Sequence, residues 1–285
     1  MRSPPRWTWL LFPTLTFAVA AGTAALIERG LPLPVVSTVS LASVILTVLL
    51  LERVSPLHAG WNRRPELGDI GLLLLNRGVD LALLAALVLG LERLERSGLL
   101  PSALRAWPSA LPLPAQAAVG VVCGELVRYA LHRASHRPGA LWAWHVVHHQ
   151  PERMYALNGP RLHPANQLWV SAAHGVPMLV LGAEVRAVVL TAVVTAFFVV
   201  LQHANVSLSF SGWNQVFATP DVHRLHHARR WAARGVNYGI VIVLFDRLFG
   251  TYAAAEPIGE SDIGLEGEGS AAGDVASEAA AVVVK

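Results

Sequence analysis

Residues 185–206 read VRAVVLTAVVTAFFVVLQHANV. One charge, Arg186, stands near the front, and every position from Ala187 to Leu201 is apolar or threonine. About 20 such residues cross roughly 30 Å of hydrocarbon as a helix rising about 1.5 Å per residue. The run reads as a helix in a bilayer, and it leads straight into Gln202-His203. Upstream, Leu168 to Leu181 is apolar too, and only Gly182-Ala183-Glu184 separates the two runs. They read as a helical hairpin that re-emerges on its starting side.

Towards the N-terminus the same texture repeats. Trp7 to Ile27, Leu31 to Leu51, Ile70 to Leu91 and Ala115 towards Leu131 read as four spans. Glu28-Arg29-Gly30, Glu52-Arg53, Arg63-Arg64-Pro65 and the charged, proline-rich stretch from Glu92 to Pro114 close or join them. Arg77 and Asp80 lie three apart in the third span, on one helical face, and read as a structural pair that neutralises itself. Arg2, Arg6 and Ala18-Val19-Ala20 resemble a signal peptide. The apolar run is longer than such a signal needs and a second span follows at once, so an uncleaved anchor is expected.

Composition agrees. Hydrophobic residues make up 54% of the 285 and charged residues 14%, against about 25% in soluble domains, so a water-soluble globule is disfavoured. A net charge of +3 leaves no electrostatic footprint for nucleic acid. The single cysteine, Cys123, excludes a disulfide framework and an iron–sulfur or rubredoxin-type centre within the chain. The expected fold is an all-α integral membrane bundle of about four spans plus a helical hairpin, with a histidine-rich helical cap. Its parts are transmembrane helices over 1–114, a histidine-bearing domain over 115–252, and a solvated, disordered Gly/Ala-rich acidic tail over 253–285. Arginine placement in the short loops puts the N-terminus and the histidine clusters on the cytoplasmic face.

Eleven of the 12 histidines lie between His132 and His227. They form His132-x3-His136, His145-x2-His148-His149 and His223-x2-His226-His227. Helical positions i, i+3 and i+4 make one compact patch, so each cluster can aim imidazoles at a common point. Neutral imidazole suits iron, zinc and copper. Eight or more converging histidines exceed what one ion can take and point to two. Burying so many imidazoles without a partner would be costly, which disfavours mere interfacial placement.

Tyr129-Ala-Leu-His132-Arg-Ala-Ser-His136-Arg137 and Leu141-Trp-Ala-Trp-His145-Val-Val-His148-His149 resemble the fatty acid hydroxylase/sterol desaturase superfamily. So do Arg161-Leu-His163-Pro164, Gln202-His203-Ala-Asn205, Pro220-Asp-Val-His223-Arg-Leu-His226-His227, Asn237-Tyr-Gly239 and Phe245-Asp-Arg-Leu-Phe-Gly-Thr-Tyr252. The resemblance covers roughly Glu125 to Tyr252. It implies a membrane-bound non-haem diiron oxygenase that uses O2 and two electrons to hydroxylate or desaturate a C–H bond of a membrane lipid or isoprenoid. It implies ligation by His132, His136, His145, His148, His149, His223, His226 and His227, with His203 and His163 as further ligand positions, and iron replaceable by zinc during purification. The chain departs from the pattern at Ala165-Asn166, where many members carry an apolar residue and an acid. It departs again at Ser207, where fatty acid 2-hydroxylases carry a histidine.

Glu125, Asp221 and Asp246 are candidates to accept the outer N–H of a metal-bound imidazole, or else to pair with Arg128, Arg224 and Arg247. His174 reads as a hydrogen-bonded core residue and His58 as a solvated loop residue. Electrons are expected from a separate ferredoxin or cytochrome b5 type partner, since no dinucleotide fingerprint or fused cytochrome b5 segment is present. Arg133, Arg137, Arg224, Arg229, Arg230 and Arg234 could dock it, or serve topology and lipid phosphates. The rival reading is a membrane metal-binding or metal-transport protein without redox chemistry. Transport is disfavoured because most histidines lie outside the spans, and a zinc hydrolase because H-E-x-x-H is absent.

Overall fold

The computed structural model describes residues 6–97, 106–232 and 235–265. The elements are α1 (Leu11–Glu28), α2 (Leu33–Val54), α3 (Leu67–Arg96), α4 (Leu113–Ser135) and α5 (Ala140–His149). They continue as α6 (Pro164–Val180), α7 (Val185–His203), α8 (Pro220–His226), α9 (Arg229–Ala232) and α10 (Leu244–Leu248). No strand occurs among the described residues, only isolated bridges at Phe217–Ile242 and Ala228–Ile263. Helices α2, α4, α6 and α8 open with proline in their first two positions, where the missing N–H costs no helical hydrogen bond.

The expected hairpin is α6–α7. After Leu181 the chain turns left-handed at Gly182, with φ of 88°, a region glycine enters without a Cβ clash. Gly182 N–H then reaches Leu179 O and Ala183 N–H reaches Met178 O, so two carbonyls at the end of α6 are satisfied.

Helix α7 is the centre of the bundle. It packs against α1, α2, α4 and α6, and 67% of its span is buried, whereas the span in α3 is 6% buried. Leu74, Leu75, Phe17 and Leu50 point outward, as helices facing acyl chains require. Four helices among the described residues are long and apolar enough to cross a membrane: Thr8–Glu28, Leu33–Val54, Leu67–Leu94 and Val185–His203. The expected fourth span, Ala115 to Leu131, is helical, but its inner face carries Gln116, Glu125, Arg128 and His132. Helix α7 is the fourth apolar one instead.

Three polar expectations change. Arg77 and Asp80 stay in each other's field but make no direct bond: Arg77 donates to Ser37 Oγ and Thr38 Oγ1 on α2, and Asp80 accepts from Gln167 and Ser171 on α6. His58 is buried, not solvated. Its Nε2 bonds Ile258 O at 2.9 Å and its backbone N–H donates to Asn205 Oδ1. Residues 253–265 of the expected tail are packed, because Ile258 and Ile263 fill an apolar cluster with Trp61, Met154, Leu225 and Val236. Residues 266–285 lie outside the described residues.

Candidate metal centre

The last turn of α4, all of α5, the end of α7 and all of α8 meet at one end of the bundle. Nine buried histidines converge there in two groups. His132, His136, His145, His149 and His226 form one, and His148, His203, His223 and His227 the other. Within each group the ligand nitrogens lie within 4.8 Å of one another. Each three-histidine box is split between them. Helical positions i and i+4 diverge by only about 40° and i+3 lies to the other side. Helix α5 therefore gives His145 and His149 to the first group and His148 to the second. Helix α8 gives His223 and His227 to the second and His226 to the first. His149 and His227 stack with centroids 4.3 Å apart and join the two groups.

Hydrogen bonds decide which nitrogens are free to bind. A backbone carbonyl only accepts, so an imidazole nitrogen bonded to one must carry the proton, and the other nitrogen keeps its lone pair. His203 Nδ1–H donates to Val199 O at 2.7 Å, and His148 Nδ1–H to Arg161 O at 3.3 Å. Their Nε2 lone pairs nevertheless face each other at 3.2 Å. His203 Nε2 is also 3.2 Å from His223 Nε2 and from His227 Nε2. Neutral lone pairs repel at that distance, whereas nitrogens bound at about 2.0–2.1 Å around one ion stand roughly 3 Å apart. The second group fits a cation.

The first group fits one by the same logic. His132 Nδ1–H donates to Tyr238 O and His226 Nδ1–H to Val236 O, at 2.8 and 2.7 Å. Both Nε2 atoms are buried without a hydrogen-bond partner. His145 Nδ1 bonds Asn166 Oδ1 at 2.9 Å. Burial keeps these imidazoles neutral, pushing His145 down to about 4 and His226 to about 3. His148, His149, His223 and His227 are lowered by burial first and by neighbouring imidazoles second.

The carboxylates act one step further out than expected. Glu125 Oε1 accepts the backbone N–H groups of Ile240, Val241 and Ile242. Asp246 accepts those of Tyr238 and Gly239, at 2.8 and 2.7 Å. The two acids hold the 236–242 loop, and that loop's carbonyls hold His132 and His226. Asp221 does neither: it accepts from Thr219 and Asn214 at the start of α8. Sequence reasoning missed two positioning groups, Asn166 and Arg161. Arg161 Nη1 meets the fully buried Asp69 at 2.5 Å and its Nε donates to Val147 O, which fixes the backbone that His148 leans on.

His163 is not in either group. It is the N-cap of α6, its Nδ1 accepting from Ala165 N–H at 3.1 Å, and its ring stacks on Trp144. The His-Pro step that the resemblance offered as a ligand position is a helix start here. His174 is buried within α6, also away from both groups.

A cavity of about 50 Å³ touches both groups through His132, His145, His148, His203 and His223. A larger one, about 220 Å³, lies between α2, α3, α6 and α7 and shares Arg128, Gly159, Leu162, Val170 and Val199 with it. Along α7 its lining runs from Val188 to Val200, about 18 Å of helix.

Arg224 is buried and donates to Ala204 O and Val206 O, so it braces α7 against α8 and offers nothing to a docking partner. Arg229 pairs with Glu152 and Arg230 with Glu256. Arg133 is half-buried on Tyr129 Oη, Arg137 is exposed, and Arg234 lies outside the described residues.

Residues 117–251 match the family model described as Fatty acid hydroxylase. The ornithine lipid hydroxylase OlsE of Rhizobium tropici is 29% identical over 264 residues, 91% of this chain and 79% of that protein. The alkylglycerol monooxygenase of Homo sapiens is 30% identical over 127 residues, and that of Danio rerio 30% over 126. These matches cover 44% of this chain and only 28% of either monooxygenase. No solved structure matches the chain.

Proposed function

We propose, from the match of residues 117–251 to the fatty acid hydroxylase family model, that this chain is a membrane-bound, O2-dependent lipid hydroxylase holding two iron ions. The observation that carries the reading is the set of lone pairs that nine histidines direct into two adjoining points. Bound iron supplies the activation of O2 for attack on an unactivated C–H bond.

The chain's own residues do the rest. His132, His136, His145, His149 and His226 hold one ion, and His148, His203, His223 and His227 the other. The carbonyls of Tyr238, Val236, Val199 and Arg161, with Asn166 Oδ1, keep His132, His226, His203, His148 and His145 in the ligating tautomer. The larger cavity is mostly apolar and admits an acyl chain, and the smaller one adjoins both histidine groups. The names of the relatives favour hydroxylation over desaturation. Electrons come from a separate ferredoxin or cytochrome b5 type protein, because one cysteine cannot hold an iron–sulfur centre. The histidine end faces the cytoplasm, following the arginines of the short loops.

Growth under ¹⁸O2 of cells carrying the chain tests the reaction. The expected result is a lipid heavier by one labelled oxygen, missing from cells carrying His148→Ala/His226→Ala. Unlabelled lipids beside iron-loaded protein and a competent donor would overturn hydroxylation.

A further inference from the structure

The larger cavity is not uniformly apolar. Leu84, Leu87 and Val188 line one part, and Arg77, Asp80 and Arg128 another. On α3 the charges come before the leucines, counting away from Asp69 at the histidine end. On α4, Arg128 lies one helical turn before His132 and lines both cavities. The charged layer therefore lies between the histidines and the apolar end.

Arg128 is 7% exposed, its Nε is enclosed without a partner, and among the described residues no hydrogen bond reaches its guanidinium. The carboxylates in whose field it lies are Glu125 and Asp80. Glu125 spends Oε1 on three backbone N–H groups. Asp80 takes Gln167 and Ser171, at 2.7 and 2.5 Å, both on Oδ1. Arg77 uses Nη2 on α2, while its Nε is enclosed without a partner. Two guanidinium groups and two carboxylates already balance. A ligand with one negative charge would leave that charge uncompensated between apolar walls, and a neutral one would leave the donors of Arg128 unanswered. A ligand end bearing both signs meets neither penalty.

We propose that this cavity binds the polar end of a zwitterionic membrane lipid, its anionic oxygen group on Arg128, its ammonium on Asp80, and its acyl chain along Leu84, Leu87 and Val188. The proposal rests on the reading above that the cavity delivers a lipid to the histidines. Calorimetric titration of the full chain in nonionic detergent tests it with four single-chain probes. Two are zwitterions, lyso-phosphatidylethanolamine and Nε-lauroyl-lysine, and two are controls, laurate and dodecylamine. At least one zwitterion should bind tenfold or more tighter than both controls, and which one does so identifies the anionic group as phosphate or carboxylate. Asp80→Asn should bring that zwitterion down to the level of laurate, and Arg128→Gln to that of dodecylamine. The metal-deficient His148→Ala/His226→Ala chain should keep the preference, so loss of the metal reading and loss of this one are told apart. Zwitterions no tighter than laurate or dodecylamine on the wild-type chain overturn the proposal, as does a preference unchanged in both charge variants.

Discussion

Asn166 is where a single atom decides a ligand's state. Its Oδ1 fixes the proton of His145 on Nδ1. Outer partners of this kind typically change metal affinity by about 10–100-fold. Asn166→Ala should release one of the two ions at a correspondingly lower chelator concentration, and Asn166→Asp should retain both. Identical chelator profiles for all three proteins would refute that role. Glu125 is a second such residue. Glu125→Ala strands the buried N–H of Val241 and the part-buried ones of Ile240 and Ile242, and a buried donor alone costs about 1–3 kcal/mol, so a loss of roughly 2 kcal/mol is expected in denaturant titration. Eight of the nine histidines stand in local i, i+3 and i+4 relations that the sequence displays, whereas His203 entered only through the resemblance. His163 stands outside both groups, and its His-Pro step is equally the signature of an N-cap followed by a first-turn proline. His58 was misread because the atom that claims it, Ile258 O, lies 200 residues away.

At the scale of elements, the helix that bears His203 depends on one close approach. A Cβ on Gly159 would stand 2.7 Å from Val199 O, the carbonyl that orients His203. Gly159→Ala should therefore lower the melting temperature and loosen the second ion. Gly78→Ala on α3, where a Cβ meets nothing within 4 Å, should be neutral or stabilising by up to about 1 kcal/mol. Equal behaviour of the two variants in thermal melting would contradict this packing. The box helices also carry a pH dependence. The ordinary histidine value is about 6.5, and folding depresses His145 to about 4 and His226 to about 3. The unfolded, metal-free chain binds more protons between those values. Stability of the metal-free protein is thus complete above pH 6.5 and declines as pH falls towards 4. Thermal midpoints that stay level from pH 7.5 to 4.5 would exclude it. The hairpin and the apolar helices were legible from run length and Gly182. The inward polar stripe of α4 was not, because hydropathy averages over both faces of a helix.

The whole molecule is a lipid-facing bundle that carries its polar chemistry at one end. The cap there is fastened by residues far apart in sequence: Glu52 holds Ala156 and Asn205, Asp69 holds Arg161, and Ile258 and Ile263 close over Trp61. Composition pointed to the membrane and the boxes pointed to the candidate site. The clasp from 253 to 265 was hidden because its sequence is as polar and glycine-rich as a solvated tail. Orientation is testable on the intact protein. Arg137 is exposed beside the first box, so Arg137→Cys should react with a membrane-impermeant maleimide in inverted vesicles and not in intact cells. The reverse pattern would turn the histidine end outward. The most direct test of the account is metal content per chain, measured by mass spectrometry on protein purified in mild detergent. His148 and His226 belong to different groups, so one substitution in each should empty both. The account predicts about two iron ions, or zinc in their place, on the wild-type chain and their loss from His148→Ala/His226→Ala. Less than about half an ion on a folded wild-type chain would contradict it.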